Sequence, residues 1–312
     1  MKNNCIVCGA GFNEEVLNEL PMRRCTVCSL LWRKDFNVDL SHYVEDNITF
    51  KNTDEASLKR KYKNAKERAK AYSKYLSLDN ICDVGTGRGF FLRALIDLRH
   101  KNVIGLEPNK YTELVADEQG VRIIQGGFDD LKKVVSENNI KTVSLFHVIE
   151  HLPDPVVEVK KIFEALPPGG HTIIETPNAS SYPIVARNYK HKLVYPEHLF
   201  LFNPESLKRL LEKEGFKIIA QGTRDFDQNN LPIKESLFRL GIIKKPTMQK
   251  ERRRLGDPNW KPIDDKENNI EKRRSLLKRV ADFFLIYTLS LLVRWRGRLT
   301  FIWYVAEKPA QS

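Results

Sequence analysis

The sequence predicts an α/β protein: a doubly wound, seven-stranded, mostly parallel sheet preceded by a small N-terminal four-cysteine ribbon. Three observations carry this. Four of the five cysteines form two close pairs near the start; from Asn80 short β-rich runs alternate with helical segments; and a glycine-rich turn joins the first such run to the first helix. With 312 residues and 41% hydrophobic content, ordinary for a globular protein, the chain can bury one α/β core and carry small appendages.

The ribbon comes first, over residues 1–35. Cys5-x-x-Cys8 and Cys25-x-x-Cys28 each place two thiolates at one corner of a tight turn, and two such corners facing each other make a tetrahedral site whose spacing implies structural zinc. Gly9, free to adopt positive φ, lets backbone amides approach the sulfurs. A closed shell of four thiolates has no open position for a substrate, so the expected role is structural or substrate-gripping. Cys82 lies alone in an apolar run, which favours a metal over disulfides as the reason for the paired cysteines. The start, Met1 to Asn4, meets the first pair without an apolar stretch, so a reducing cytoplasm is the expected setting.

Residues 36–79 read as a linker and cap helix, the helix running from Glu55 to Leu76 with Leu58, Tyr62, Ala65, Ala69 and Tyr72 near helical spacing. The main domain takes residues 80–312. Its expected strands are Ile81 to Val84, Val103 to Glu107, Arg122 to Gln125, Thr142 to Phe146, His171 to Glu175, Lys217 to Ala220 and Thr300 to Ala306. Helices are expected over Phe90 to Leu98, Lys110 to Gln119, Pro155 to Ala165 and Pro204 to Glu214, and an insertion over 222–299. Within it, Ser275 to Arg296 is apolar with basic ends; its uncharged centre is shorter than the ~20 residues a bilayer demands, leaving a packed helix or a peripheral membrane contact through 275–296.

Ile81-Cys82-Asp83-Val84-Gly85-Thr86-Gly87-Arg88-Gly89 is a strand running into a G-x-G-x-G turn. A dinucleotide fold would want G-x-G-x-x-G so that a pyrophosphate rests on the helix N-terminus. The tighter spacing brings the turn close to a ligand that need not be a phosphate, and Asp83 sets a carboxylate where a cationic amine could meet it. The second strand ends in Glu107, followed by the polar turn Pro108-Asn109; a carboxylate at that tip can accept both hydroxyls of a ribose.

On these residues the chain resembles the class I S-adenosylmethionine-dependent methyltransferases, a Rossmann-like group, from about residue 55 to residue 307. Cys25-Thr26-Val27-Cys28-Ser29-Leu30-Leu31-Trp32 resembles the second knuckle of bacterial members that carry an N-terminal cysteine ribbon. The resemblance implies S-adenosylmethionine as cofactor, with Asp83, Gly85 and Gly87 at its methionine end, Glu107 at the ribose, and Thr86, Pro108 and His147 among the cofactor-binding residues. The adenine is expected near Gly127, Phe128 and Asp129, where many relatives have an acid in place of Gly127.

Two polar segments are the candidate chemistry. His147-Val148-Ile149-Glu150-His151-Leu152-Pro153-Asp154-Pro155 follows the fourth strand and resembles the E-H-x-P-D-P stretch of ubiquinone-biosynthesis and sugar or natural-product methyltransferases. By that resemblance a metal on His147, Glu150 and His151 is one expectation; hydrogen bonds that fix the loop and cap the next helix are the other. Tyr195-Pro196-Glu197-His198 follows the fifth strand and resembles the Y-x-E-H segment of deoxysugar C-methyltransferases. His198 suits a general base, with Glu197 or Tyr195 orienting it and His151 as the competing base.

The expected function is methyl transfer to oxygen, or else carbon, of a small-molecule or glycan-linked acceptor. A net charge of +12 fits an anionic partner, so methylation of rRNA or tRNA is the alternative, although the basic stretches Lys59 to Lys74 and Lys244 to Lys278 lie outside the catalytic segments. A non-catalytic zinc-ribbon binding protein is the third reading, and the intact Asp83, glycine loop and Glu107 argue against it.

Overall fold

A computed structural model describes residues 4–36, 55–186, 188–191, 193–225 and 298–310. Within the ribbon, β1 (Phe12–Leu17) and β2 (Leu20–Cys25) form an antiparallel hairpin, and β2 pairs with β3 (Leu31–Arg33). The two residues at the hairpin tip, Asn18 and Glu19, have φ of 51° and 65°, the paired left-handed geometry whose twist matches that of the flanking strands.

The main sheet contains β4 (Ile81–Val84), β5 (Val103–Glu107), β6 (Arg122–Gln125), β7 (Thr142–Phe146), β8 (His171–Pro177), β10 (Lys217–Arg224) and β11 (Phe301–Glu307) in the order β10-β11-β8-β7-β4-β5-β6. Every pairing among β4 to β8 is parallel, and β11 runs antiparallel to both its neighbours. This is the expected doubly wound, seven-stranded, mostly parallel sheet. Strand period explains the two layers on its faces. Ile81, Val103, Ile173 and Val305 point to one side, where they meet α1 (Glu55–Tyr72) and α2 (Phe90–Asp97) through Ala69, Tyr72, Phe91, Leu92 and Leu95. Cys82, Ile104, Val143, Ile174 and Tyr304 point to the other. That side is covered by α4 (Leu131–Glu137), α5 (Pro155–Ala165) and α7 (Pro204–Lys213).

Among the described residues there are also α3 (Thr112–Gln119), α6 (Tyr182–Ala186), a 3-10 turn (Ile149–His151) and the two-residue strand β9 (Phe200–Leu201), which pairs antiparallel with β3. The ribbon therefore extends its sheet with a strand from the main domain. Cys5, Val7, Cys25, Leu30 and Trp32 share one hydrophobic cluster with Phe200, Phe202, Leu207 and Leu211, so the two parts have a common core.

Four expectations need correction. Helix α1 stops at Tyr72, where Tyr75 N bonds back to Tyr72 O and the chain turns so that Leu78, wholly buried, can enter the core. Strand β8 runs on to Pro177, opposite Phe301. Strand β10 continues through Gly222, Thr223 and Arg224, paired with Trp303, Ile302 and Phe301, so the insertion expected from residue 222 begins after this strand. The indole of Trp303 occupies the space a Cβ at Gly222 would need, at 2.6 Å. Helices α4 and α6, of 7 and 5 residues, are too short for helical periodicity to show in the sequence. The segment 275–296 lies outside the described residues; among those described, no helix is long and apolar enough to cross a membrane.

Candidate functional site

Sheet order reverses between β4 and β7, and the crevice outside the carboxyl ends of these strands is where open α/β sheets take ligands. The turn after β4 lies on it. Gly85 and Gly87 have φ of 69° and 54°, which a β-carbon would strain. A Cβ at Gly85 would meet Val148 Cγ2 at 2.6 Å, whereas one at Gly87 would meet nothing within 4 Å. The first glycine lets the loop pack on the segment after β7, and the second leaves open space beside the turn.

Glu107, only 7% exposed, accepts from Gly87 N at 2.8 Å through Oε2 and from Asn109 N at 3.2 Å through Oε1. Each oxygen keeps a second acceptor position, so the tip of β5 can still take two hydroxyl donors. Burial pushes the Glu107 carboxyl up, and the Gly87 and Asn109 amides pull against that. Asp83 accepts from Ser144 Oγ at 2.7 Å, and burial pushes its carboxyl up to about 6 against the pull of Ser144 and Thr86.

A cavity of about 290 Å³, near the lower end of small-ligand sites, is lined by Lys61, Asn64, Arg68, Asp83, Gly85, Thr86, Phe146 and His147 among others. It joins an acid from β4 to two cations from α1, the complement of an amino acid's ammonium and carboxylate. The α1 residues were missed from the sequence, where Lys61 and Arg68 read as part of a charge run. Below the cavity, Arg68 bonds Glu175 Oε1 at 2.6 Å, and Tyr72 Oη donates to Glu175 Oε2 at 2.6 Å. The nearby Arg68, His147 and Arg224 hold the Glu175 carboxyl well below its usual range although it is fully buried. His147, at φ 60°, places Nε2 3.3 Å from Glu175 Oε1 and 3.1 Å from Arg68 Nη2. Burial alone would lower its pKa, but Glu150 and Glu175 outweigh this and raise it.

The expected adenine contacts Phe128 and Asp129, and the expected cofactor contact Pro108, stand apart from that lining. Phe128 packs on the core, Pro108 is exposed, and the exposed Asp129 pairs with Lys161 at 2.8 Å. Asp130, unremarked in the sequence, takes the Gly127 amide at 3.0 Å.

The second candidate segment meets the first behind His147. His151, half-buried on the 3-10 turn Ile149–His151, has its ring 4.6 Å from that of His198, and the Tyr195 ring is 4.1 Å from His198. His198 is 3% exposed; its Nδ1 bonds Leu193 O at 2.8 Å and its Nε2 is 3.9 Å from Glu150 Oε1. Burial pushes its pKa down to about 4, leaving the ring neutral at pH 7. Glu197 contributes its main-chain carbonyl to His151 Nδ1 at 3.0 Å. Glu150 is buried; burial would raise its carboxyl, yet the three surrounding histidines hold it down to about 2. His151, His198, Glu197 and Tyr195 thus form one cluster, next to the cavity's His147 and outside its lining.

In the ribbon, one sulfur from each of Cys5, Cys8, Cys25 and Cys28 lies within 4.8 Å of the others, with Cys5–Cys28 at 3.6 Å and Cys8–Cys25 at 3.4 Å. Four sulfurs around one zinc at about 2.3 Å would stand about 3.8 Å apart, so the cage fits the ion and is too wide for disulfides. The amides of Val27 and Cys28 already point at Cys25 Sγ, both at 3.4 Å, and Gly9 has φ 73°.

A family model described as "Methyltransferase domain" matches residues 42–221. The chain is 28% identical over 141 residues to a Mycolicibacterium smegmatis protein named "Probable S-adenosylmethionine-dependent methyltransferase", covering 45% of this chain and 52% of that one. It is 23% identical over 155 residues to a tRNA U34 carboxymethyltransferase of Nautilia profundicola, covering 46% and 50%. The chain thus spans about half the length of these curated relatives. The crystal structure of a SAM dependent methyltransferase from Archaeoglobus fulgidus superposes with a TM-score of 0.50 at 19% identity, over 82% of this chain and 100% of that one.

Proposed function

The chain belongs to the methyltransferase-domain family, and from that membership we propose that it moves a methyl group from S-adenosylmethionine to an oxygen, or else a carbon, of a small-molecule or glycan-linked acceptor. One observation carries the reading: a single cavity sets the Asp83 carboxylate against Lys61 and Arg68 beneath a glycine turn whose Gly87 amide is bonded to Glu107. Bound S-adenosylmethionine supplies a methyl on a sulfonium that is already reactive. The protein's part is then alignment and exclusion of water. Asp83 holds the ammonium, Lys61 and Arg68 the carboxylate, and Glu107 the ribose hydroxyls, while Phe90, Phe91 and Phe146 line the cavity with apolar surface. The acceptor end falls to the cluster of His151, His198, Glu197 and Tyr195, where an imidazole takes the hydroxyl proton. One zinc on Cys5, Cys8, Cys25 and Cys28 completes the ribbon as a structural part.

Calorimetry on the native chain should show binding of S-adenosylmethionine, and a screen of hydroxylated acceptors with labelled cofactor should find transfer. A chain that binds no cofactor removes the proposal. A second reading, a tRNA acceptor, draws on the Nautilia relative and on the exposed Lys59, Arg60, Lys63 and Lys70 along α1, beside the cavity. Transfer to tRNA and to none of the small acceptors would select it.

A further inference from the structure

Three ligand-type side chains converge from two segments behind the cavity. Glu150 and His151 come from the turn after β7 and His198 from the loop before β9, and one donor atom of each lies within 4.8 Å of the other two. The segments are tied together by Leu199 N, which bonds Glu150 O at 2.8 Å.

The orientation of each group is already set. Glu150 is 1% exposed; its Oε2 accepts from Thr176 Oγ1 at 2.9 Å, and its Oε1 has no hydrogen-bond partner. That oxygen stands 3.9 Å from His198 Nε2 and 3.7 Å from His147 Nδ1. His151 and His198 each bond a main-chain carbonyl through Nδ1, those of Glu197 and Leu193. A carbonyl only accepts, so each Nδ1 carries its hydrogen, and Nε2 is the ring atom that can coordinate. An imidazole pinned this way is the arrangement that orients metal-bound histidines. A buried carboxylate oxygen without a donor, facing an imidazole lone pair, is costly in itself and is compensated by a cation between them.

We propose that Glu150, His151 and His198 bind one first-row divalent cation such as zinc, separate from the cysteine cage. Two imidazoles and a carboxylate suit zinc and leave at least one coordination position open. His147, which the resemblance placed in this set, is turned toward Glu175 and Arg68 and stays outside it. The proposal rests on reading the histidine pair as the acceptor end of the site and replaces the imidazole base there: with both Nε2 atoms on the cation, an acceptor hydroxyl would bind at the open position, where the cation would make its proton easier to lose to water.

The test uses the full chain with its ribbon loaded, titrated with zinc and, after exchange, with cobalt. About two equivalents of metal per chain are expected, the second giving visible cobalt bands without the thiolate charge-transfer band of the first. Glu150→Gln and His198→Gln should each retain only the ribbon's equivalent while far-UV circular dichroism stays unchanged. If either variant does not fold, His151→Gln, on a half-buried ring, repeats the measurement. A native chain that saturates at one thiolate-bound equivalent overturns the proposal, as does a second equivalent kept by all of the folded variants. Methyl transfer is read separately. A second equivalent lost in His198→Gln with turnover intact supports the cation site and overturns the acceptor-end reading.

Discussion

Glu107 shows how one side chain can close a loop and hold a ligand. Its Oε2 takes the Gly87 amide and its Oε1 the Asn109 amide, so replacement by glutamine sets an amide group against an N–H donor and removes the charge. A hydrogen bond to a charged group contributes about 1.5–3 kcal/mol, so Glu107→Gln should weaken S-adenosylmethionine by about 10- to 100-fold in calorimetry. Asp83 makes the second prediction. Burial raises its carboxyl to about 6 in the free protein, and a ligand ammonium beside it would favour the ionised form and lower that value. Binding therefore releases a proton. Affinity should be full above about pH 6 and fall as the pH drops through it, by up to about tenfold per unit, while Asp83→Asn binds weakly with a flat profile. Isotherms measured across that range check the sign, and an affinity that rises toward low pH would contradict it.

Helix α7 ties its own start to the ribbon. Asn203 accepts from Ser206 N at 3.0 Å, Ser206 Oγ accepts from Asn203 N at 3.0 Å, and Pro204 fills the first helical position. The same Asn203 donates through Nδ2 to Cys28 O at 2.9 Å, a contact 175 positions away in sequence. Losing the cap costs about 1 kcal/mol, and orphaning the buried carbonyl costs about as much again. Asn203→Ala should lower stability by about 2 kcal/mol in denaturant unfolding, against about 1 kcal/mol for a cap alone. The cap and the proline were legible because they are neighbours in the chain. The bond to Cys28 was not, since nothing near Asn203 in the sequence points to the ribbon.

Ribbon and catalytic domain act on each other through main-chain bonds. Arg33 N bonds Leu199 O at 2.9 Å, Leu199 N bonds Glu150 O at 2.8 Å, and Arg33 Nη1 donates to Pro196 O at 2.9 Å. Strand β3 thus braces the loop that carries His198, whereas the glycine turn and Glu107 belong to other strands. Metal binding to four cysteines is coupled to folding of the element that holds them. Cys25→Ser with Cys28→Ser should therefore reduce turnover by at least about tenfold while S-adenosylmethionine affinity changes by less than about threefold. Turnover and calorimetry on one preparation check both values, and equal losses would mean the whole domain has loosened.

Strand positions, the glycine turn, Glu107 and the paired cysteines were readable because each signal is local. Alternation over four or five residues, a G-x-G-x-G spacing or a C-x-x-C pair is complete within one short segment. The sheet order brought together what such signals cannot. It seats α1 over the crevice, so Lys61 and Arg68, two members of a basic run, become cavity walls opposite Asp83. It sets His198 beside Glu150, 48 positions earlier in the chain, and turns His147 toward Glu175. It also inserts β9 beside β3, so that the ribbon shares a sheet with the strand that follows His198. Contacts between distant residues depend on which strands pair and on how helices pack over them, and no short segment of sequence records that choice.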